Sequence, residues 1–260
     1  MGGVTVLDAF ILGVVEGLTE FLPVSSTGHQ VLVGHLLGLD VENDPFIKSF
    51  IVIIQLGAIL AVMTLYLQRF LRDFEVWKRV IVAFIPTGIL GLLLTDFLEG
   101  LLGSDLVVVI NLIGVGVLLL FIDRLMAGRQ KYDDINQVPL FQSGAIGLFQ
   151  SIAMVPGVSR SAATIIGGMF LGLSRRAAAE FSFILAVPTM LVASGYSIVR
   201  RPEQFEGANW GLIAVGFVTA FVVALVSVRW MLDFVSKNTF VPFGIYRIVV
   251  GVVYAAFFLR

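Results

Sequence analysis

Apolar residues form long, nearly uninterrupted runs along the chain, and short polar stretches separate these runs. Six runs have about the length of a membrane-spanning helix, which needs roughly 20 apolar residues. The predicted spans are residues 46–67, 80–98, 106–121, 181–199, 210–231 and 241–259. The pattern therefore predicts an all-α integral membrane protein.

Two further apolar stretches are broken near their middle. Residues 5–39 are interrupted at Pro23, and residues 141–172 are interrupted at Pro156-Gly157. A piece of about eleven residues covers only about 17 Å, whereas the hydrocarbon core is roughly 30 Å thick. Each stretch is therefore predicted to be a re-entrant helical hairpin. Non-helical backbone at membrane depth must be buried in protein or line a wet cavity.

The second half of the chain repeats the order of the first. Residues 1–126 form one predicted repeat, residues 139–260 the other, and a charged cytoplasmic linker at 127–138 joins them. At an offset of 133, Pro23 falls on Pro156 and Ser26 on Ser159. Each repeat has one hairpin and three spans, and an odd number of spans inverts the second repeat. The expected architecture is an inverted-topology repeat within one membrane domain.

Composition and charge agree with this class of protein. Of 260 residues, 58% are hydrophobic and 13% charged, and the mean hydropathy is +0.99. The net charge of −1 gives no reason to expect a nucleic-acid partner, and the absence of cysteine excludes disulfides. Lys and Arg favour one side of the membrane, at 69–79, 124–131, 175–176 and 229–237. If that side is cytoplasmic, both termini and the first hairpin face outward.

The first hairpin carries acids that a bilayer tolerates only with a partner. Glu16 and Glu20 are four residues apart and share a helix face. A divalent cation, Mg²⁺ or Ca²⁺, bound together with an anionic substrate would relieve their repulsion. The alternative is a protonated structural pair, or one acid exposed at the interface.

Hydroxyl groups follow the break in each hairpin. Ser25, Ser26 and Thr27 begin one helix, and Ser159 and Ser161 mark the start of the other. Free amides at a helix start bind phosphate, although helix capping would explain any single hydroxyl.

A histidine and an arginine accompany these hydroxyls. His29 is three residues from Ser26, as a base beside a nucleophile would be, although most such pairs are structural. Arg160 suits a phosphate, or else pairs structurally with Glu16 or Glu20.

Two motifs carry a resemblance to a known family. E-G-L-T-E-F-L-P-V-S-S-T-G-H at 16–29 and P-G-V-S-R-S-A-A-T at 156–164 resemble the signature motifs of the undecaprenyl-diphosphate phosphatases, the bacterial bacitracin-resistance family. The resemblance extends over nearly the whole chain. It implies a phosphatase that removes the terminal phosphate of undecaprenyl diphosphate, depends on a divalent cation and lies in the bacterial plasma membrane with its active site outward.

Site residues are assigned on both lines of reasoning. Glu16 and Glu20 are the expected metal ligands, and Ser26, His29 and Arg160 the expected catalytic residues. The substrate-binding residues are expected to be Ser25, Thr27, Gly28, Ser159, Ser161 and Thr164. The lipid tail is expected in a lateral opening near Phe21 and Leu22, and small-residue helix faces would permit a homodimer.

Several alternatives stay open at this point. The nucleophile is Ser26 with His29 as its base, His29 itself, or a metal-bound water. Inverted repeats with broken helices also suit a transporter or flippase for an anionic polyprenyl lipid, and fold alone does not decide function. A receptor for an anionic lipid is a third class.

Overall fold

The structure, a computed structural model, describes residues 4–41, 43–94, 104–205 and 208–258. Helices dominate these ranges, so the predicted all-α class is confirmed. The helices are α1 (Val6–Thr19), α2 (Ser26–Leu36), α3 (Pro45–Leu65), α4 (Leu67–Arg72), α5 (Phe74–Leu93), α6 (Asp105–Leu125), α7 (Leu140–Ile152), α8 (Arg160–Phe170), α9 (Arg175–Arg200), α10 (Trp210–Lys237) and α11 (Val241–Phe258). Short 3₁₀ turns lie at Ile135–Gln137 and Pro202–Phe205.

Five helices in the described ranges are long and apolar enough to cross a bilayer, namely α3, α5, α6, α9 and α10. The helix α11 is also apolar but slightly shorter. The helix α5 begins at Phe74, six residues before the predicted span, because the Asp73 carboxylate caps it by accepting from the Val76 amide at 3.2 Å. Residues 95–98 and 259 of the predicted spans lie outside the described residues.

Each of the two broken stretches contains two helices, α1 and α2 in the first and α7 and α8 in the second. The helices α2 and α8 have 11 residues each, too few to cross a bilayer. The helix α2 begins at Ser26, three residues after the predicted interruption at Pro23, and Ser25 is its N-cap. The re-entrant and inverted placement of these pairs in a membrane stays a prediction.

The helix N-caps and the positive-φ glycines correct the predicted offset between the two hairpins. Ser25 and Ser159 are both N-caps, with φ of 75° and 79°, and they are 134 positions apart. The same spacing separates Gly38 and Gly172, which have positive φ just after the two short helices. The offset of 133 is thus wrong by one residue here, and the structural equivalent of Ser26 is Arg160.

Each hairpin packs against the other half of the chain. The helix α1 packs on α10, and α7 packs on α5. A Cβ at Gly13 would lie 2.7 Å from the Gly216 carbonyl oxygen, and a Cβ at Gly147 would overlap the carbonyl oxygen of Ala83. Both first helices of the hairpins therefore depend on a glycine for close contact, which fixes where each hairpin presents its polar residues.

Gly147→Ala is expected to lower the stability of the protein by about 1–3 kcal/mol, because overpacking forces α7 away from α5. The measurement is thermal unfolding in detergent. Gly144→Ala on the same helix is the control, since its Cβ would meet only Val82 at 3.6 Å. Equal melting temperatures of the two variants would contradict this contact.

Candidate active site

The breaks of the two hairpins line the same small cavity. Ser25 and Ser159 cap the second helix of each hairpin, and their Oγ atoms accept from the amides of Gly28 at 3.4 Å and Ala162 at 3.3 Å. A positive φ at a residue other than glycine stores strain and is typical of functional sites. Here it turns the backbone sharply between the loop and the helix.

Glu20 joins the two hairpins through its two carboxylate oxygens. The Ser26 hydroxyl donates to Glu20 Oε2 at 2.6 Å, and the Arg160 guanidinium donates to Glu20 Oε1 at 3.0 Å. The Glu20 side chain is buried, at 4% exposed, so both are charge-assisted bonds in a poorly solvated place. A hydroxyl, a carboxylate and a guanidinium thus form one connected group.

Arg160 is fixed by further contacts that leave one donor unused. Its Nη1 donates to the Ser182 carbonyl at 2.9 Å, and its guanidinium lies 5.6 Å from the ring centroid of Phe21. Its Nε is buried without a hydrogen-bond partner. An unsatisfied buried donor costs about 1–3 kcal/mol, and an anionic ligand would satisfy it.

Phe21 is fully buried and packs edge-on against Phe183, with ring centroids 5.4 Å apart. It therefore supports Arg160 and does not line a lateral opening as the sequence analysis expected. Leu22 does line an opening, which is described below.

A small cavity of about 220 Å³ lies between the two breaks. The predicted site residues that line it are Glu20, Ser25, Ser26, Thr27, Ser159 and Arg160. The other predicted site residues do not line it: Glu16, Gly28, His29, Ser161 and Thr164. The rest of its wall is formed by Gln55, Ala153, Met154, Val155, Pro156, Gly157 and Met190.

Ser161 and Thr164 are engaged inside the protein. Ser161 Oγ donates to the Leu22 carbonyl at 2.6 Å, which ties the second hairpin to the first. Thr164 Oγ1 lies 2.9 Å from the Arg160 carbonyl and 2.5 Å from Ser182 Oγ. In this structure both hydroxyls hold the first turn of α8 in place.

His29 is not hydrogen-bonded to Ser26. Its Nδ1 lies 2.7 Å from the Ser25 carbonyl, and its Nε2 lies 2.8 Å from the Tyr246 hydroxyl. Because a carbonyl can only accept, Nδ1 carries a proton, and in the neutral ring Nε2 then accepts from the Tyr246 hydroxyl. Sequence reasoning had no signal for this pair, since 217 positions separate its members.

Glu16 lies behind the cavity and is fully buried. The Gln30 amide donates from Nε2 to Glu16 Oε2 at 3.0 Å and to the Leu12 carbonyl at 3.0 Å. Glu16 Oε1 and Gln30 Oε1 are both buried without a hydrogen-bond partner. Gln30 was missed by the sequence analysis because nothing in its spacing sets it apart.

A divalent cation fits these oxygens, because unpartnered carboxylate and amide oxygens are hard ligands. In the described ranges no group of three or more His, Cys, Asp or Glu side chains is placed to hold a metal ion. Both oxygens of Glu20 accept hydrogen bonds, from Ser26 and Arg160, whereas Oε1 of the adjoining Glu16 accepts none.

Arg247 binds both breaks and is fully buried. It donates to the carbonyls of Pro23 at 3.1 Å and Gly157 at 2.6 Å, one in each break. It also donates to the carbonyls of Asn111 and Leu112 in α6. Non-helical backbone inside a membrane protein leaves carbonyls without donors, and this guanidinium supplies them.

Two larger cavities adjoin the site. One, of about 680 Å³, shares Thr27 and Pro156 with the small cavity and is also lined by Gln30, Lys48 and Arg201. The other, of about 730 Å³, is mostly apolar and lies between the first hairpin, α10 and α11. Its wall includes Leu18, Leu22, Val226, Trp230, Phe243 and Tyr246.

Comparisons with known proteins point in the same direction as the motifs. The family model described as bacitracin resistance protein BacA matches residues 9–253. The chain is 54% identical to an undecaprenyl-diphosphatase of Thermus thermophilus, over 100% of both chains. It is 51% identical to an undecaprenyl-diphosphatase of Aquifex aeolicus, over 97% of this chain and 98% of the relative. A Campylobacter jejuni protein of the same name is 46% identical over 95% of this chain and 92% of the relative.

Arg247→Lys is expected to lower stability by about 3 kcal/mol, because an ammonium cannot reach both breaks and leaves buried carbonyls unpaired. Thermal unfolding in detergent measures the effect. The exposed Arg229→Lys on α10 is the matched control. An unchanged melting temperature for Arg247→Lys would show that the breaks hold their shape without this residue.

Proposed function

The chain belongs to the bacitracin resistance protein BacA family, and we propose that it hydrolyses undecaprenyl diphosphate to undecaprenyl phosphate and inorganic phosphate. Such a reaction recycles the lipid carrier of cell-wall synthesis and gives resistance to bacitracin. The relatives named undecaprenyl-diphosphatase, aligned over nearly the whole chain, support the substrate and the reaction.

The observation that carries the proposal is the joint contact of Ser26 and Arg160 with Glu20 in one cavity. A phosphoryl transfer needs a nucleophile, a group that takes its proton and a positive charge near the equatorial oxygens. The three side chains supply these parts. The helix starts at Ser26 and Arg160 add backbone amides and the positive ends of two helix dipoles.

In the proposed reaction Ser26 Oγ attacks the terminal phosphorus while its proton passes to Glu20 Oε2. The bond between that phosphorus and the bridging oxygen breaks, and undecaprenyl phosphate leaves. Arg160 stabilises the charge on the transferred phosphoryl group, with its unpartnered Nε as the added donor. Water then cleaves the phosphoserine, Glu20 returns its proton to Ser26 Oγ, and inorganic phosphate is released.

His29 acts in this scheme by orienting the break and not by deprotonating Ser26. Its bond to the Ser25 carbonyl holds the residue that precedes the nucleophile. His29 as nucleophile and direct attack by water stay as the alternatives that trapping experiments decide.

A divalent cation completes the proposed site. Glu16 would hold the ion, which would supply positive charge to a diphosphate, while Glu20 keeps its bonds to Ser26 and Arg160.

The polyprenyl tail is proposed to leave through the apolar cavity of about 730 Å³. Leu22 in its wall follows the break of the first hairpin, and the Tyr246 hydroxyl in the same wall contacts His29. The cavity therefore adjoins the site and is apolar enough for isoprene units.

The multi-pass membrane chain is proposed to lie in the bacterial plasma membrane with both termini and the site on the outer side. Lys48 and Arg201, on the predicted outer side, line the cavity that adjoins the site and would attract an anionic headgroup. We also propose a homodimer, for which the small-residue helix faces are the only support.

The comparisons favour the phosphatase over the transporter alternative, because the relatives are named as phosphatases.

Purified protein in detergent is expected to release phosphate from undecaprenyl diphosphate, and Ser26→Ala is expected to lower kcat by at least about 10³-fold through loss of the nucleophile. Phosphate release is measured by a colorimetric assay. Ser49→Ala is the control, because Ser49 is buried outside the cavity and donates only to the Phe46 carbonyl.

Acid quenching of the reaction with labelled substrate tests the intermediate. Phosphoserine survives acid, whereas phosphohistidine does not, so an acid-stable label that Ser26→Ala abolishes supports the proposed route. Near-wild-type turnover of Ser26→Ala would exclude the serine nucleophile. Absence of phosphate release by the wild-type protein would overturn the proposed function itself.

Val226→Trp is expected to raise KM for undecaprenyl diphosphate about tenfold, because the indole fills part of the apolar cavity. The same variant should leave KM for a water-soluble diphosphate with one or two isoprene units within about twofold. Val218→Trp, on the same helix but outside the cavity wall, is the control. An equal rise in KM for the long and the short substrate would show that the polyprenyl tail does not bind in this cavity.

A further inference from the structure

The amide of Gln30 is held in one orientation. Its Nε2 lies within 3.0 Å of two acceptors, Glu16 Oε2 and the Leu12 carbonyl. Exchanging the amide nitrogen and oxygen would place an oxygen against both acceptors and lose two hydrogen bonds. The Oε1 atom is therefore the free end of the side chain.

Gln30 Oε1 and Glu16 Oε1 are both buried acceptors without a hydrogen-bond partner, on side chains that are joined through Gln30 Nε2 and Glu16 Oε2. Gln30 is 1% exposed and Glu16 is 0% exposed, so bulk water does not solvate them. Leaving such acceptors unsatisfied costs about 1–3 kcal/mol each, and more for a charged group. Two hard oxygens that lack donors suit a small divalent cation.

A cavity on the predicted outer side reaches Gln30. Gln30 lines the cavity of about 680 Å³, together with Asn43 and Asp105. The same cavity reaches Thr27, which also lines the small cavity beside Ser26. An ion bound at Gln30 would thus lie between the cavity and the site.

We propose that Gln30 is a neutral ligand, through Oε1, of the divalent cation that Glu16 binds, while Glu20 is reserved for Ser26 and Arg160. The role of the cation rests on the proposed function, whereas the position of its site rests on the unpartnered oxygens of Gln30 and Glu16. A neutral amide beside a single carboxylate leaves the ion with net positive charge for a diphosphate. Two carboxylates would cancel that charge and would take Glu20 from the nucleophile.

The test measures cation binding directly and needs no turnover. Mn²⁺ is titrated into the purified full-length protein in detergent, and free Mn²⁺ is followed by electron paramagnetic resonance. Gln30→Met keeps the length of the side chain and removes its oxygen, so the Kd for Mn²⁺ is expected to rise at least tenfold. Gln30→Glu keeps an oxygen at this place and is expected to bind Mn²⁺ at least as tightly as the wild type.

Gln150→Met is the matched control. Gln150 is buried, has an unpartnered Oε1 and lies 134 positions after Glu16, but its amide bonds Thr87 and Thr189 away from the acids. Its Kd for Mn²⁺ is expected to stay within about twofold of the wild-type value. Retained binding by Gln30→Glu distinguishes ligand loss from misfolding.

Glu20→Gln distinguishes a cation bound by Glu16 and Gln30 from one bound by Glu16 and Glu20. The proposal expects this variant to lose phosphate release and to keep Mn²⁺ binding better than Gln30→Met does. The proposal is overturned if Gln30→Met binds Mn²⁺ as the wild type does, or if the wild-type protein binds none. A wild-type protein that binds Mn²⁺ through Gln30 but releases no phosphate would contradict the proposed function and leave the cation site standing.

Discussion

Broken helices inside a membrane protein leave carbonyls that need hydrogen-bond donors, and Arg247 supplies donors to both breaks at once. The carbonyls of Pro23 and Gly157 belong to two different breaks, and both accept from this one buried guanidinium. A fully buried cation would itself be costly without such partners. Each side of the contact therefore stabilises the other, and the positions of Ser26 and Arg160 depend on it.

The two hairpins have different chemical roles because they carry different side chains on backbone turns of the same conformation. Ser26 and Arg160 occupy the same first position of their helices, after N-caps of nearly equal φ. One hairpin places a hydroxyl there and the other a guanidinium, and both contact Glu20. Two equivalent backbone turns thus present complementary chemistry to a single carboxylate.

The sequence predicted the elements whose signal is local. Prolines and glycines marked the breaks, and acids, hydroxyls and an arginine in apolar surroundings marked Glu20, Ser26 and Arg160. Contacts made across the chain had no such signal: Tyr246 with His29, Gln30 with Glu16, and Arg247 with both breaks. The predicted offset between the two hairpins was also wrong by one residue. It was set by matching Pro23 with Pro156, whereas the equivalent N-caps, which the backbone angles identify, are one position further apart.

The distance along the chain between Glu20 and Arg160 bears on how the protein is made. Their contact spans 140 positions, and that of Pro23 with Arg247 spans 224, so the first hairpin leaves the ribosome long before its partners. During that interval its acids and open carbonyls must stay near water, or near the translocation machinery, to avoid exposure to lipid. The active site is consequently among the last parts of the chain to close, and a truncated first half would emerge with its polar loop unprotected.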